Sequence, residues 1–271
     1  MNSNKEIDSF EKLISLKPVG LNHFTGSSPE YPWGRVYGGQ VVAQALHAAI
    51  QTVDTEYAVH SVHAYFIRTG TSDEDIEFEV DRIRDGRSFN TRRVVAAQSA
   101  GAILNLSASF QLLENGPDIQ MENLPQNLPE PEELPSEDWS PIMERKVVPE
   151  GILSKGHGVW IRLQGDNDQS LKFPELGLVY TSDDVPYDAA ARIHPEYAGV
   201  WDGEDASPFY GASLDHAVWF HRRSDPYDWQ FHYHEGLVHM GNRGLATGAV
   251  YSRDGKYLAT VTQEILQRVT R

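Results

Sequence analysis

The amino-acid sequence predicts an α+β fold made of two similar units, each a buried helix covered by an antiparallel sheet. An apolar helical pattern occupies residues 41–53, alternating apolar and polar residues follow it, and a similar order recurs in the second half of the chain. A sheet with one apolar face must cover that face, and a buried helix is the cover available in each half.

The first predicted helix begins at Gly38-Gly39-Gln40. Apolar residues recur after it at helical spacing, and small apolar residues occupy the other faces; they are Val41, Val42, Ala45, Leu46, Ala49, Ile50 and Val53, with Ala43 and Ala48. A helix that is apolar almost all round is typical of one that is buried on every side.

The strands of the first half follow this helix. The segment VHSVHAYFIR comes first, and Ile76, Phe78 and Val80 then alternate with acidic residues, as in a strand with one buried face. Asp85-Gly86 indicates a turn. The closing strand alternates from Leu104 to Leu112.

The second half repeats this order. GASLDHAVWFHR is similar to VHSVHAYFIR, Trp229, Phe231 and Tyr233 alternate with Gln230, His232 and His234, and Tyr257 to Ile265 form the last strand. Gln111 lies 43 positions after Arg68, and Glu264 lies 42 positions after Arg222. The near-equal spacing indicates a diverged duplication.

A change in composition separates the halves. Residues 115–149 contain seven of the fifteen prolines, eight acidic residues and two basic ones. Proline removes a backbone donor and fixes φ, so this stretch cannot hold a long helix or a central strand. We therefore predict an N-terminal unit at 1–114, a linker at 115–149 and a C-terminal unit at 150–271. The alternative is an irregular excursion from one domain.

Composition excludes several classes of function. The net charge of −16 opposes nonspecific attraction to nucleic acid or an anionic membrane. The absence of cysteine excludes disulfides, cysteine-ligated metals and a cysteine nucleophile. No apolar run approaches the ~20 residues of a membrane span, and no signal peptide is evident. We expect a cytoplasmic protein without a cofactor.

Three polar residues interrupt the apolar pattern of one half only. Gln263 lies on the apolar face of the last strand, and counting from Gln111 and Glu264 pairs it with Phe110. Counting back nine residues from Arg222 and from Arg68 pairs Ser213 with Val59, and Asp183, three positions after Tyr180, corresponds to Gln40, three after Tyr37. Each has a structural alternative: a glutamine bonded to local backbone, a structural strand serine, and a carboxylate at the start of the second buried helix.

The same residues carry a family resemblance. GRVYGGQVVAQALHAA, VHSVHAYFIRTG, RDGRSFNTRRV, SASFQ, VWIR, YTSD, SLDHAVWFHR and DGKYLATVTQE resemble the type II acyl-CoA thioesterases, the TesB-like double-hotdog family. The resemblance covers about residues 20–112 and 157–268. It implies two hotdog units in one chain, each a long helix wrapped by an antiparallel sheet, and hydrolysis of fatty acyl-CoA to a free acid and coenzyme A.

The resemblance also implies the catalytic residues. The family's carboxylate motif appears as YTSD, which gives Asp183; the serine or threonine before its DH motif gives Ser213; the glutamine of its closing strand gives Gln263. The section between Asp183 and Ser213 departs from the family pattern, which leaves the acyl range open because this section should border the acyl pocket. The residue after Glu264 departs as well, since the family more often has glycine there.

The residue types suit water activation. No GxSxG motif is present, so a covalent acyl-enzyme has no evident nucleophile. Asp183 would accept a proton from a water molecule held by Ser213 and Gln263. Backbone N–H groups at Gly38-Gly39 are candidate oxyanion donors. The candidates for binding the CoA phosphates are Arg92, Arg93, Arg222 and Arg223.

Other interpretations stay open at this point. His60, His63, His232, His234 and His239 raise the possibility of a metal site, but their spacing matches no metal motif, and His60 is equally a candidate for supporting the catalytic set. A hotdog enoyl-CoA hydratase would need an Asp and a His in one motif. A noncatalytic acyl-CoA or lipid-binding protein is the third alternative. We expect a homo-oligomer, a dimer or tetramer of the double unit.

Overall fold

The structure, a computed structural model, describes residues 7–165, 173–197 and 208–270. Its helices are α1 (Phe10–Ile14), α2 (Gly38–Ile50), α3 (Pro174–Thr181) and α4 (Pro186–Ala191). Its strands are β1 (Lys17–Gly20), β2 (His23–Gly26), β3 (Tyr57–Phe66), β4 (Ile76–Asp85), β5 (Phe89–Gln98), β6 (Gly101–Leu112), β7 (Met143–Val147), β8 (His157–Leu163), β9 (Phe209–Ser213), β10 (Asp215–Phe220), β11 (Gln230–Met240), β12 (Arg243–Ser252) and β13 (Tyr257–Val269).

The strands form one antiparallel sheet whose order mirrors itself about its centre. The order is β1-β2-β4-β5-β6-β3-β10-β13-β12-β11-β8-β7, with β9 paired to β13. The halves meet where β3 pairs with β10, and the register there places Val62 opposite Val218 and Ala64 opposite His216. A register shift lies between Val59 and Ser61 in the first half and between Ser213 and Ala217 in the second, and aligning the two shifts makes His216 the counterpart of Val62. The α+β double-hotdog prediction is confirmed.

The first buried helix begins where the sequence predicts. Helix α2 starts at Gly38, and ten of its thirteen residues are buried. The inward faces of β4, β5 and β6 supply apolar partners such as Phe78, Val94 and Leu106. Burial of apolar area on this scale is the main source of stability in such a unit.

The second half differs from the prediction of one long buried helix. Two short helices, α3 and α4, occupy its place, and Asp183 lies in the turn between them, directly after the C-cap residue Ser182. The prediction that Asp183 stands at the start of its own helix is therefore wrong. Proline at the first position of α4 explains the new start, because its fixed φ suits a helix N-terminus but not a helix interior.

The strand register corrects one of the predicted correspondences. Val59 pairs with Phe110, whereas its counterpart Ser213 pairs with Ile265. Phe110 therefore corresponds to Ile265, and Gln263 corresponds to Ala108. The count along the chain was two residues out because a shift of two preserves the alternation of inner and outer faces.

The apolar residues of β11 face away from the helices, contrary to the sequence pattern. Trp229 and Phe231 pack in an outer cluster with Trp160, covered by Leu128 and Leu134. The residues that alternate with the aromatic ones, Gln230, His232 and His234, face inward and are buried.

The covering residues come from the predicted linker. Within 115–149 the described secondary structure is a 3-10 turn at Pro131–Glu133 and strand β7, which pairs with β8. Trp160 Nε1 donates to the Pro129 carbonyl, so the segment lies across the outer face of the second half of the sheet. The boundaries at 114 and 149 stay predictions.

Two further observations bear on the sequence predictions. Across the three described ranges, no helix is long and apolar enough to cross a membrane. The section expected to border the acyl pocket includes residues 198–207, which lie outside the described residues.

Candidate functional site

The three predicted catalytic residues lie together although they come from distant parts of the chain. Ser213 Oγ donates to Asp183 Oδ1 at 3.2 Å, and Gln263 Nε2 donates to Ser213 Oγ at 2.8 Å. Asp183 comes from the α3–α4 turn, Ser213 from the end of β9 and Gln263 from the middle of β13. The chain continues from β9 to β10 through a break at Leu214, whose N–H bonds Glu264, and this break directs Ser213 towards the turn.

Burial sets the ionisation of this site. Asp183 is 7% exposed and Gln263 is fully buried. Burial raises the pKa of Asp183 to about 7, against hydrogen bonds from Gln263, Ser213 and the Gly39 N–H that lower it. A carboxylate with a pKa near neutrality is suited to accept a proton and then release it.

The positive end of a helix faces Asp183, and that helix belongs to the other half. Gly39, in the first turn of α2, donates its backbone N–H to the carboxylate. A side chain at Gly38 would place Cβ 2.6 Å from Asp183 Oδ2, and one at Gly39 would place it 2.3 Å from the Tyr180 carbonyl oxygen. Both glycines are therefore required by close approach, and Gly38 leaves open the space beside the carboxylate.

Two residues outside the predicted set extend the network. His216 Nδ1 bonds Gln263 Oε1 at 2.5 Å, and His216 Nε2 bonds Ser182 Oγ at 2.9 Å. Comparison of the two halves, which identifies Gln263, could also have identified these residues. Val62 in the first half corresponds to His216, and Gly39 corresponds to Ser182.

The neighbouring carboxylate, Asp184, is held by the predicted linker. Trp139 Nε1 donates to Asp184 Oδ1 at 2.7 Å, and Arg145 Nε pairs with Asp184 Oδ2 at 3.1 Å. Arg145 also lies 3.8 Å from Asp188 at the start of α4. These contacts fix both sides of the turn that carries Asp183, and nothing in the sequence pattern of the linker indicated them.

We expect Arg145→Met to impair the site through this turn. It leaves Asp184 buried without its cation, which costs ~3–5 kcal/mol of unfolding free energy. Because the charge of Asp184 raises the pKa of Asp183, the pH at half-maximal rate should also move upward. Lys256→Met is the control, since the Lys256–Asp254 pair is exposed and contributes at most ~1 kcal/mol. Urea unfolding and pH–rate profiles check both; equal effects of the two variants would refute the role of Arg145.

The corresponding positions of the first half form no such set. Gln40 Oε1 accepts from Tyr31 (2.8 Å) and Ser28 (3.1 Å), and its Nε2 donates to the Ser27 carbonyl at 3.2 Å. Val59 and Ala108 are apolar and buried. Gln40 therefore has a structural role, holding the segment before α2 against the helix.

The histidines do not assemble a metal centre. Across residues 7–165, 173–197 and 208–270, no group of three potential ligands is arranged to hold an ion. His60 bonds Ser109 Oγ and packs on Phe89, so its contacts lie in the first half rather than at the catalytic set. His232 and His234 are fully buried, and none of their ring nitrogens has a hydrogen-bond partner among the described residues.

Of the four arginine candidates for binding the CoA phosphates, Arg92 is buried and the other three are not. The buried guanidinium of Arg92 bonds Thr52 and pairs with Asp85, so the assignment of Arg92 as a phosphate ligand is wrong. Arg93 and Arg222 each pair with an aspartate, Asp81 and Asp118. Arg223 is exposed.

A cavity of about 450 Å³ lies beside α4. His157, Arg192, Leu153 and Tyr197 contribute to its lining, and none of the three predicted catalytic residues does. It is therefore separate from the three predicted catalytic residues.

Family models match both halves of the chain. The model described as the acyl-CoA thioesterase N-terminal domain matches residues 27–111, and the C-terminal domain model matches residues 121–267. Together they span the described network, including the turn at Asp183.

Individual proteins match over nearly the whole chain. Acyl-CoA thioesterase 2 of Haemophilus influenzae is 31% identical over 280 residues, covering 94% of this chain and 96% of that protein. Human acyl-coenzyme A thioesterase 8 is 28% identical, covering 95% and 88%. The crystal structure of an acyl-CoA thioesterase II, TesB2, from Mycobacterium marinum superimposes with a TM-score of 0.82 at 32% identity, covering 96% and 98%.

Proposed function

Because this chain belongs to the acyl-CoA thioesterase family, of type II, we propose that it hydrolyses fatty acyl-CoA with a water molecule activated by Asp183, Ser213 and Gln263. The chain is a hydrolase of acyl-CoA thioesters. The family match favours thioester hydrolysis over the two alternatives, a noncatalytic binding protein and an enoyl-CoA hydratase. The observation that carries the residue assignment is the continuous hydrogen-bond path from Gln263 through Ser213 to a buried carboxylate whose pKa is about 7.

Asp183 acts as general base in the proposed reaction. It takes a proton from water as the water oxygen forms a bond to the thioester carbonyl carbon. Ser213 and Gln263 hold that water by hydrogen bonds and direct it at the carbonyl. The ionised carboxylate is available at neutral pH because its pKa is about 7, not several units higher.

Backbone donors at the start of α2 complete the proposal. The carbonyl oxygen gains negative charge in the tetrahedral intermediate, and the Gly38 N–H would donate to it next to the helix N-terminus. The intermediate then expels the CoA thiolate as the carbon–sulfur bond breaks. The proton held by Asp183 passes to the thiolate, which regenerates the base and releases a carboxylic acid and CoA.

We expect hydrolysis to depend on pH with a midpoint near 7. The base must be ionised, and burial raises its pKa to about 7, so kcat should rise from pH 5 to pH 8 and level off above. A thiol-release assay over acyl-CoA substrates from acetyl to palmitoyl measures this, and the chain length with the highest kcat/KM gives the acyl preference. A midpoint near 4 would contradict a buried carboxylate as base.

The proposal also includes a fatty acyl substrate, a cytoplasmic location and self-association of the chain. Light scattering coupled to size exclusion tests for a dimer or tetramer of the 30.4 kDa chain. Elution at the mass of a single chain would contradict it.

A further inference from the structure

We propose that His216, oriented by Ser182, is a positioning residue that fixes which end of the Gln263 amide faces the catalytic water. This inference rests on the proposed function and extends it beyond the three residues. It begins from the contacts of an imidazole that is fully buried on the inner face of β10 and touches Gln263 on one side and Ser182 on the other.

The hydrogen bonds of His216 have one consistent direction. Burial lowers the pKa of His216 to about 4, so the ring is neutral at working pH, with one donor and one acceptor nitrogen. Gln263 Oε1 can only accept, which assigns the proton to Nδ1. Nε2 is then the acceptor, and the Ser182 hydroxyl donates to it at 2.9 Å.

Ser182 has an alternative acceptor, which makes its role conditional on the ring. Its Oγ lies 3.1 Å from the Val179 carbonyl, one helical turn back. The single hydroxyl proton satisfies one acceptor at a time. The bond to Gln263 Oε1 places the ring proton on Nδ1, which leaves Nε2 unprotonated, and the Ser182 hydroxyl stabilises this tautomer when it donates to Nε2 rather than to Val179.

The orientation of the amide matters because its two ends are alike in shape and opposite in hydrogen bonding. With Oε1 held by His216, Nε2 donates to Ser213, and the Ser213 proton is directed to Asp183. If the amide turned over, Oε1 would accept the Ser213 proton, and Asp183 would lose two donors. Its pKa would then rise further, since those two bonds lower it.

Two comparisons within the chain set His216 apart. His232 and His234, equally buried on β11, have no hydrogen-bond partner for any ring nitrogen among the described residues. In the first half, where Ala108 replaces Gln263, the counterpart of His216 is Val62. A hydrogen-bonding residue therefore occurs at this position in the half that has an amide to orient.

Two isosteric variants test the proposal. The side-chain amide of His216→Asn can place an N–H near the position of Nδ1, whereas that of His216→Gln reaches towards the position of Nε2. We expect the Asn variant to keep kcat within about threefold of wild type and the Gln variant to lose ~10–100-fold in kcat with little change in KM, because His216 does not touch substrate. The pH midpoint of the Gln variant should move upward. Ser182→Ala should give a smaller change in the same direction.

Controls separate this inference from the function on which it rests. His232→Leu removes an equally buried histidine and should leave the pH midpoint in place. Asp183→Asn reports on the proposed base itself. If Asp183→Asn is inactive, the proposed base is supported. If His216→Asn and His216→Gln then have the same kcat and the same pH midpoint, whether or not these equal the wild-type values, the positioning role of His216 is overturned. If Asp183→Asn retains activity, the proposed function fails first.

Discussion

Asp183→Asn should lower kcat by about 10²–10⁴, the usual contribution of a positioned general base, and should also make the folded protein more stable above pH 7. The loss of activity follows because an amide cannot accept the proton of water. The carbonyl oxygen of the new side chain can still accept from Ser213 and from the Gly39 N–H, so the local geometry is retained.

The gain in stability follows from the direction of the pKa shift. Burial raises the pKa of Asp183 from the ordinary aspartate value of 3.8 to about 7, so the folded state holds a proton that the unfolded state has released between pH 4 and pH 7. Stability of the wild type therefore falls as the pH rises through that window. A shift of about three pH units corresponds to at most ~4 kcal/mol, so the variant should gain ~2–4 kcal/mol at pH 8 and little at pH 4.

Thermal melts at pH 4.5 and pH 8, together with thiol release at saturating acyl-CoA, measure both effects. A variant that keeps more than half of wild-type kcat would exclude Asp183 as the base. A variant that is inactive and less stable at pH 8 would show that the substitution acts through misfolding.

Gln263→Ala should abolish most activity, because it replaces one of the three proposed catalytic residues with the alanine found at the corresponding position, Ala108, of the first half. The change removes the donor to Ser213 and leaves the Nδ1–H of His216 without an acceptor. A buried group left unpaired costs ~1–3 kcal/mol, so a moderate loss of stability should accompany the loss of activity.

Gln267→Ala is the matched control on the same strand. Gln267 is equally buried, lies on the same face of β13, and donates to the Tyr187 carbonyl at 2.9 Å. We expect a comparable loss of stability and no loss of kcat. Equal losses of kcat in the two variants would mean that activity follows core integrity and that Gln263 has no special part.

The reciprocal change tests whether each chain has one site. Ala108→Gln buries an amide in an apolar layer, so it should destabilise the fold by ~1–3 kcal/mol and create no second activity, because Gln40 and Val59 cannot supply a base and a hydroxyl. A rise in kcat in this variant would show that the halves share the chemistry.

The sequence predicts the parts of this molecule that depend on periodicity. Helix α2 begins at the predicted Gly38, and the three polar intrusions, Asp183, Ser213 and Gln263, prove to be neighbours in space. What periodicity cannot supply is register and direction. A shift of two residues leaves the alternation of a strand unchanged. The count along the sequence therefore pairs Gln263 with Phe110, whereas the strand register pairs it with Ala108.

Other features depend on tertiary contacts that have no local signal. The histidines of β11 look like an exposed polar face, yet they lie inside because the segment 115–149 covers the aromatic residues on the opposite face. The same segment delivers Trp139 and Arg145 to Asp184. A proline-rich composition excludes regular structure, but it does not say what the irregular chain packs against.

The contact between Gly39 and Asp183 has an evolutionary consequence. In a symmetric pair of single units, each helix start would face the carboxylate of the other copy, and a substitution at either position would strike both sites at once. When the two copies are joined in one chain, each position can be substituted in one copy alone. One copy can then supply the backbone N–H of Gly39 while the other supplies the carboxylate of Asp183. The first half, which has Gln40 in place of the carboxylate, is therefore still constrained at Gly39, because the backbone N–H of that glycine contacts Asp183 of the other half.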